Sequence, residues 1–400
     1  LFGWFIANFD WGISLASHYD LAVLGGGVVG LSIAAQCAKR GWRVCLVDRR
    51  EVGKESSWAG AGILPAGATL RVDDPIEQLR QLSDQLHEEW ARWLRDYTDI
   101  DTEYRRSGGL YLARSPAERA TLRANCYWWQ ELGIEYRQLR TSEVSEMTSM
   151  IAPTESPGQV CEYYWVARDA KLRNPRHLAA LKLACQKLGV DFQEHTEVVN
   201  LQATEAGIDF VECLRELQGN QKSQIFADRY CLTTGAWTAP LLKPLGIETG
   251  IYPVRGQMQL VRFDTPPFCY VVNEGHRYMV PREDGRVLIG SCEEEVGFVK
   301  ETTQDMMDQL TAWAMSVCPQ IADAPLESQW SGLRPGSIDT YPYLGTLHPY
   351  RNCFVAAGHF RHGLHWSTAT AVLMDQHMRG EPTVIDLEAF RVQRGNVRPC

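Results

Sequence analysis

Tyr19-Asp20-Leu21-Ala22-Val23-Leu24-Gly25-Gly26-Gly27-Val28-Val29-Gly30 begins the stretch that decides the fold, and Arg43-Val44-Cys45-Leu46-Val47-Asp48 ends it. The apolar run to Leu24 reads as a buried strand. Gly25, Gly27 and Gly30 fill the slots of a G-x-G-x-x-G turn, and Val28 to Arg40 reads as a helix closed by Gly41, with Leu31, Ala34, Ala35 and Ala38 on its inner side. The first glycine permits the tight turn, the second lets a pyrophosphate reach backbone N–H groups, and the third lets helix and strand pack closely. The helix N-terminus then faces the anion. Gly25, Gly27, Val28, Val29 and Gly30 are therefore candidate cofactor residues. Asp48, at the end of the second strand, is placed to accept hydrogen bonds from an adenosine ribose. Arg49 and Arg50 follow it, and arginines there favour a 2′-phosphate, so Arg49 joins the candidates. Strand, helix, second strand and acid together predict a dinucleotide site.

A chain of 400 residues exceeds one compact core and predicts two domains. With 45% hydrophobic and 22% charged residues, the composition is that of a globular protein and not of a disordered one. The net charge of −9 and the lack of a basic block argue against nucleic acid as a partner. The twelve cysteines contain no C-x-x-C pair, which fits neither a zinc site nor a disulfide framework and favours a reducing, cytoplasmic setting. Cys45, Cys231 and Cys353 sit in apolar runs, where a thiol serves as a small hydrophobe. No apolar run is long enough to span a bilayer. Residues 1–17 carry Phe2, Trp4, Phe5, Ile6, Phe9 and Trp11 without a lysine or arginine, so they do not read as a secretory signal. They read either as a leader that packs on nothing or as a weak membrane-surface or oligomer contact.

Ile76, Leu79, Leu82, Leu86, Trp90, Trp93 and Tyr97 recur at helical spacing and predict a long amphipathic helix over 76–97. Helices are also expected over 117–132, 175–188, 303–318 and 364–378, and strands over 109–114, 191–201, 208–214, 228–234 and 353–357. Between residues 252 and 292 the runs alternate between turn signals, as in an antiparallel sheet. The fold class is thus α/β, a Rossmann-type nucleotide-binding domain interrupted by an antiparallel-sheet α+β substrate domain. The boundaries assign 18–99, 165–245 and 331–398 to the first domain and 100–164 and 246–330 to the second.

Four further segments carry chemistry. Ser56-Ser57-Trp58-Ala59-Gly60-Ala61-Gly62-Ile63-Leu64 reads as a small-residue loop able to wrap a phosphate and a flat ring. Thr233-Thr234-Gly235-Ala236-Trp237 ends a strand where the backbone can pass close beneath a cofactor. In Trp330-Ser331-Gly332-Leu333-Arg334-Pro335-Gly336, Pro335 and Gly336 are expected to fix the backbone around Arg334. A guanidinium so held suits either bidentate capture of a carboxylate or a structural salt bridge. Ala356-Ala357-Gly358-His359-Phe360-Arg361-His362-Gly363-Leu364 joins a buried strand to a helix start, where N–H groups stabilise negative charge. His359, His362 and His365 have no carboxylate ligands nearby in sequence, and no metal is expected there.

These segments, with Pro253-Val254-Arg255-Gly256 and Tyr278-Met279-Val280-Pro281-Arg282, resemble the glycine oxidase group of the FAD-dependent D-amino-acid oxidase family, which includes the glycine oxidase of bacterial thiamine-thiazole synthesis. The resemblance runs from about Tyr19 to Arg394. It implies non-covalently bound FAD, with Asp48 at the ribose, Val198 at the adenine edge, and Ser56, Ser57, Gly62 and Ile63 lining the cofactor. Thr234, Gly235, Trp237 and His359 complete that lining, and Gly363 and Leu364 point N–H groups at the flavin. Arg334 would pair with the substrate carboxylate, Tyr278 would donate to the same group, and His276 and Arg361 would flank the pocket. The implied reaction is oxidative deamination of glycine, small amino acids or secondary amines. Hydride passes from Cα to flavin N5 without an obligatory protein base, and the products are a 2-oxo acid, ammonia and, with dioxygen, hydrogen peroxide. A homo-oligomer is expected. The sequence departs from the family pattern at Glu293, where a methionine is found, and at Ile63, where another occurs. A carboxylate at Glu293 would favour a cationic substrate if it faced the pocket, or would point to solvent. Two rival readings remain: a dehydrogenase passing electrons to a quinone or protein, and a flavin-binding protein without catalysis.

Overall fold

In the computed structural model, residues 18–151, 161–219 and 221–394 are described, so the expectations for residues 1–17 lie outside them. A six-stranded sheet carries the nucleotide-binding part. Its order is Tyr343–Leu347, Tyr350–Ala357, Tyr230–Leu232, Leu21–Leu24, Val44–Val47 and Asp191–Gln193, parallel except at the Tyr343–Leu347 edge. Alternation along Leu21–Leu24 sends Leu21 and Val23 into one apolar layer and Ala22 and Leu24 into the other. The first layer is built with the helices Val28–Lys39, Pro75–Thr98, Asn174–Lys187 and Gly363–Met378. The second packs the sheet against a four-stranded sheet of His18–Tyr19, Gln221–Ala227, Gly207–Arg215 and Thr196–Thr204.

Local signals explain the helix ends. Asp74 accepts the Glu77 N–H at 2.9 Å at the start of Pro75–Thr98, with proline in the first turn, and Ser115 and Glu118 form a capping box on Pro116–Glu131. Gly41, with φ of +89°, follows the first helix where a left-handed residue is required.

The second part is an eight-stranded sheet. Its order is Leu326–Ser337, Ile251–Arg262, Arg286–Gly290, Arg277–Pro281, Val271–Glu274, Gly109–Ala113, Glu162–Val166 and Arg137–Leu139. The pairing is antiparallel except between Val271–Asn273 and Gly109–Tyr111. Helix Gln304–Val317 covers one face through Met307, Leu310, Trp313 and Val317. The expected domain boundaries after 164 and after 330 fall inside two strands of this sheet, Glu162–Val166 and Leu326–Ser337.

Three expectations are corrected. The strand expected over 191–201 is two strands, Asp191–Gln193 and Thr196–Thr204, in different sheets; the chain turns between them, with φ of +52° at His195. The segment Ser331–Gly336, expected to fix the backbone around Arg334 without an assigned element, lies within the strand Leu326–Ser337. Its pairing with Ile251–Arg262 sets Pro335 opposite Pro253, two residues without an N–H. The loop expected from Ser56 contains a helical turn, Ser56–Ala59, and a short strand, Ile63–Leu64.

Candidate cofactor and substrate cleft

Backbone geometry builds the glycine turn. Gly25 has φ of +114°, and a Cβ there would lie 2.6 Å from the Thr233 carbonyl oxygen; a Cβ on Gly30 would lie 2.0 Å from the Gly25 carbonyl oxygen. Neither place admits a side chain. Thr233 Oγ1 donates to that same Gly25 oxygen at 2.6 Å, tying the turn to the neighbouring strand. At the helix start, Ser57 Oγ accepts the Val28 N–H at 2.9 Å. Asp48 accepts the Gly26 N–H at 2.7 Å and the Arg50 N–H at 2.9 Å; burial raises its pKa while these two N–H groups oppose the rise.

One cleft of about 660 Å³ joins this turn to the eight-stranded sheet. Of the candidate cofactor residues, Gly25, Gly27, Val28, Val29, Asp48, Arg49, Ser56, Ser57, Gly62, Ile63 and Val198 line it. So do Thr234, Gly235, Trp237, His359, Gly363 and Leu364, together with Arg334, Tyr278 and Arg361. Two candidates do not. Gly30 is packed under the turn, as a third glycine must be. His276 has a side chain 73% exposed and meets the cleft only through Arg361, whose Nη1 lies 3.2 Å from His276 Nδ1.

Arg334 projects from its strand into a space that Gly256, on the neighbouring strand, leaves open; a Cβ at Gly256 would lie 2.3 to 2.5 Å from the guanidinium atoms. Arg334 donates to the Cys292 carbonyl at 2.8 Å and to Ser291 Oγ at 2.6 Å, both neutral acceptors. Among the described residues no carboxylate is paired with it, so the structural salt bridge is not formed and the guanidinium charge stays uncompensated. The Tyr278 hydroxyl is buried beside it and donates to Met258 Sδ at 3.4 Å, a weak acceptor.

Arg361 differs. Its Nη1 lies 2.9 Å from Glu293 Oε1, and His276 Nδ1 lies 3.8 Å from the same oxygen. Glu293 thus neither stands free for a cationic substrate nor simply faces solvent. Its neighbour Glu294 pairs with buried Arg255 at 3.0 Å and accepts Gln257 Nε2 at 2.8 Å, which pushes the Glu294 carboxyl down to about 2, chiefly through Arg255. That network anchors the segment carrying Ser291 and Cys292 behind Arg334.

The histidines after Gly358 are held singly. His359 Nε2 lies 3.1 Å from Thr370 Oγ1, and His362 stacks on Trp366 at 4.4 Å. Burial pushes both imidazoles down to about 3, so both are neutral at pH 7 and the local positive potential comes from the helix start at Gly363.

Residue patterns alone gave no role to four groups that the structure places at or behind the cleft. Asn174 Nδ2 donates to the Ser57 carbonyl at 2.8 Å. Buried Arg282 donates to the carbonyls of Leu172 and Ala61, both at 2.8 Å, and so clamps the segment leading to Gly62. Asn273 and Met258 line the substrate side. Arg255 and Arg282 lay in quoted motifs, but their partners are distant in sequence. The segment 295–302 touches two residues of the cleft wall: Lys300 pairs with Glu55 at 2.6 Å, and Phe298 packs on Trp237 at 5.6 Å, on which Arg49 also stacks at 3.8 Å.

The closed glycine turn, the unpaired Asn174 Oδ1 and Asn273 Nδ2 on the cleft wall, and the cleft's reach from Asp48 to Arg334 fit a dinucleotide bearing a flat redox ring. No helix among the described residues is long and apolar enough to cross a membrane. Comparison with known proteins supplies the family. Residues 20–377 match the family described as FAD dependent oxidoreductase, DAO. Glycine oxidase of Pseudomonas aeruginosa is 31% identical over 371 residues, 92% of this chain and 96% of that protein. Glycine oxidase of Geobacillus kaustophilus is 29% identical over 381 residues, 95% of this chain and 98% of that protein. The crystal structure of glycine oxidase from Geobacillus kaustophilus matches with a TM-score of 0.87 over 95% of this chain and 100% of that chain. Matched by the family model over residues 20–377 and by these relatives in sequence and fold, the chain belongs to the FAD dependent oxidoreductase (DAO) family and uses FAD.

Proposed function

We propose that this protein is an oxidase of glycine and other small amino acids or secondary amines, and that Arg334 anchors the substrate carboxylate. The observation that carries the reading is the uncompensated Arg334 guanidinium in the cleft, held by neutral acceptors and given room by Gly256. A carboxylate would take bidentate, charge-assisted bonds there, and the Tyr278 hydroxyl, spending its proton on a thioether, can turn to the same group. FAD, when bound, would supply the redox chemistry by taking up the two electrons of the substrate Cα–H bond as one hydride.

The protein's own share is placement and charge. Asp48 and Val198 would hold the adenosine, Gly25 to Val29 the pyrophosphate, and the Gly363 helix start the negative side of the flavin. Among the described residues no carboxylate is paired with Arg334, and His359 and His362 are too weakly basic to take an ammonium proton. The substrate amine therefore enters in its neutral form, its proton left to water, and Arg334 fixes the α-carbon for transfer.

The nucleotide part in this reading comprises 18–99, 165–245 and 331–398 and the substrate part 100–164 and 246–330, with the strands Glu162–Val166 and Leu326–Ser337 assigned whole to the substrate part. Dioxygen as acceptor, a homo-oligomeric state, a cytoplasmic setting and a role in thiamine biosynthesis belong to the same reading; free buried thiols at Cys45, Cys231 and Cys353 support the cytoplasmic one. Anaerobic glycine added to the yellow holoprotein should bleach the flavin band, and air should restore it with peroxide formed. A flavin band that glycine and other small amino acids leave untouched would overturn the reading; bleaching that air does not reverse would point to another electron acceptor.

A further inference from the structure

Two arginines line the substrate side of the cleft, and the protein treats them unequally. Arg334 meets only a carbonyl and a hydroxyl and keeps its full charge for a ligand. Arg361 is already answered: Glu293 Oε1 stands 2.9 Å from its Nη1, and both side chains are only 30% exposed. His276 closes the group from the outside, 3.2 Å from Arg361 and 3.8 Å from Glu293. We infer that Glu293 is a specificity-determining residue that occupies Arg361 as an internal anion, so that the cleft accepts amines bearing one carboxylate and rejects those bearing a second anionic group.

The inference rests on the substrate reading given above and narrows it. A second carboxylate entering beside Arg361 would have to displace Glu293 from its partner or lie beside it as a like charge. Either course weakens binding of the dianion without touching the anchor at Arg334. The pair is held in place from behind, because Glu294 is fixed to Arg255 and Gln257, and Glu293 cannot swing far from that anchored neighbour. Glu293 touches neither substrate nor cofactor in this scheme; it acts through Arg361.

The test uses the FAD-loaded protein, with glycine as the monoanionic probe and iminodiacetate, glycine carrying a second carboxymethyl group on nitrogen, as the dianionic one. Preference is read as the ratio of kcat/KM values, and affinity from the dependence of the anaerobic flavin-bleaching rate on substrate concentration. Glu293→Gln should raise the preference for iminodiacetate over glycine by about tenfold or more, the scale of removing one close like charge and releasing one guanidinium. Glu293→Asp, which keeps the charge, should leave the preference closer to that of the unaltered protein than to that of Glu293→Gln. Adding Arg361→Gln to Glu293→Gln should cancel the gain. A preference unchanged in Glu293→Gln, or a gain that survives the loss of Arg361, overturns the inference. These outcomes differ from failure of the substrate reading itself, in which the unaltered protein neither oxidises glycine nor binds it through Arg334.

Discussion

Acid should weaken this protein chiefly through imidazoles that folding buries in their neutral form. His87, His177 and His365 lie away from the cleft and are only 1 to 2% exposed. His87 Nε2 donates to the His365 carbonyl at 2.7 Å, which fixes its neutral tautomer. Burial pushes His87 down to about 4 and His177 to about 3, and it lowers His365 well below the ordinary imidazole range. In the unfolded chain each returns to about 6.5. The folded state therefore binds fewer protons, and stability falls as the pH drops from above 6.5 toward those depressed values. Between pH 7.5 and 5.5 each such imidazole costs about 1.4 kcal/mol, so the three together cost about 4 kcal/mol. Asp169 opposes them. Burial raises its carboxyl to about 6, so its protonation on folding returns about 1 kcal/mol over the same interval. Glu294, held down by Arg255, contributes nothing until much lower pH. The assay is urea unfolding of the FAD-loaded protein across this window, followed by tryptophan fluorescence and flavin release together. A net loss of several kcal/mol is expected, the three imidazoles above together with the depressed His359 and His362 outweighing Asp169, and His177→Leu should remove about one proton's worth of the slope. A stability that is flat between pH 7.5 and 5.5, or a slope that His177→Leu leaves unaltered, would refute the reasoning.

Arg334→Ala should retain FAD, as judged by its absorbance, while kcat/KM for glycine falls on the order of 1000-fold, the loss of two charge-assisted bonds of about 2 kcal/mol each. Gly256→Ala places a methyl against the Arg334 guanidinium, a flexible end that can yield, so the fold should persist with nearly the same Tm. The displaced anchor should nevertheless cost on the order of 100-fold in kcat/KM, read by steady-state kinetics. Lys300→Ala removes the partly exposed pair with Glu55 and should speed FAD release by no more than about fivefold, since such pairs contribute about 1 kcal/mol or less; dilution into buffer with fluorescence detection of free FAD measures it.

The glycine turn was legible because its spacing is local: Gly25 and Gly30 meet steric demands made by the turn itself and by the end of the neighbouring strand at Thr233. The long helix Pro75–Thr98 was legible for the same reason, its stripe and its Asp74-Pro75 start both lying within the segment. The strand Leu326–Ser337 was not. Proline and glycine at 335 and 336 argue for a turn unless the partner Ile251–Arg262 is known, and that partner lies some seventy residues earlier. Glu293 was ambiguous in the sequence because its meaning depends on Arg361, brought to it by a helix start from the other part of the molecule. Pairings across the chain decided what local patterns left open.

The central sheet has a consequence for how the protein comes into being. Leu21–Leu24 is flanked by Val44–Val47, available early, and by Tyr230–Leu232, which in turn needs Tyr350–Ala357 beside it. A nascent chain thus displays its glycine turn while more than three hundred residues that complete the cleft are still unmade. Contacts of such long sequence separation fold slowly and leave strand edges open while they wait. Cofactor capture accordingly waits on distant sequence: the ribosome must release the Gly358–Leu364 segment before FAD has a finished seat.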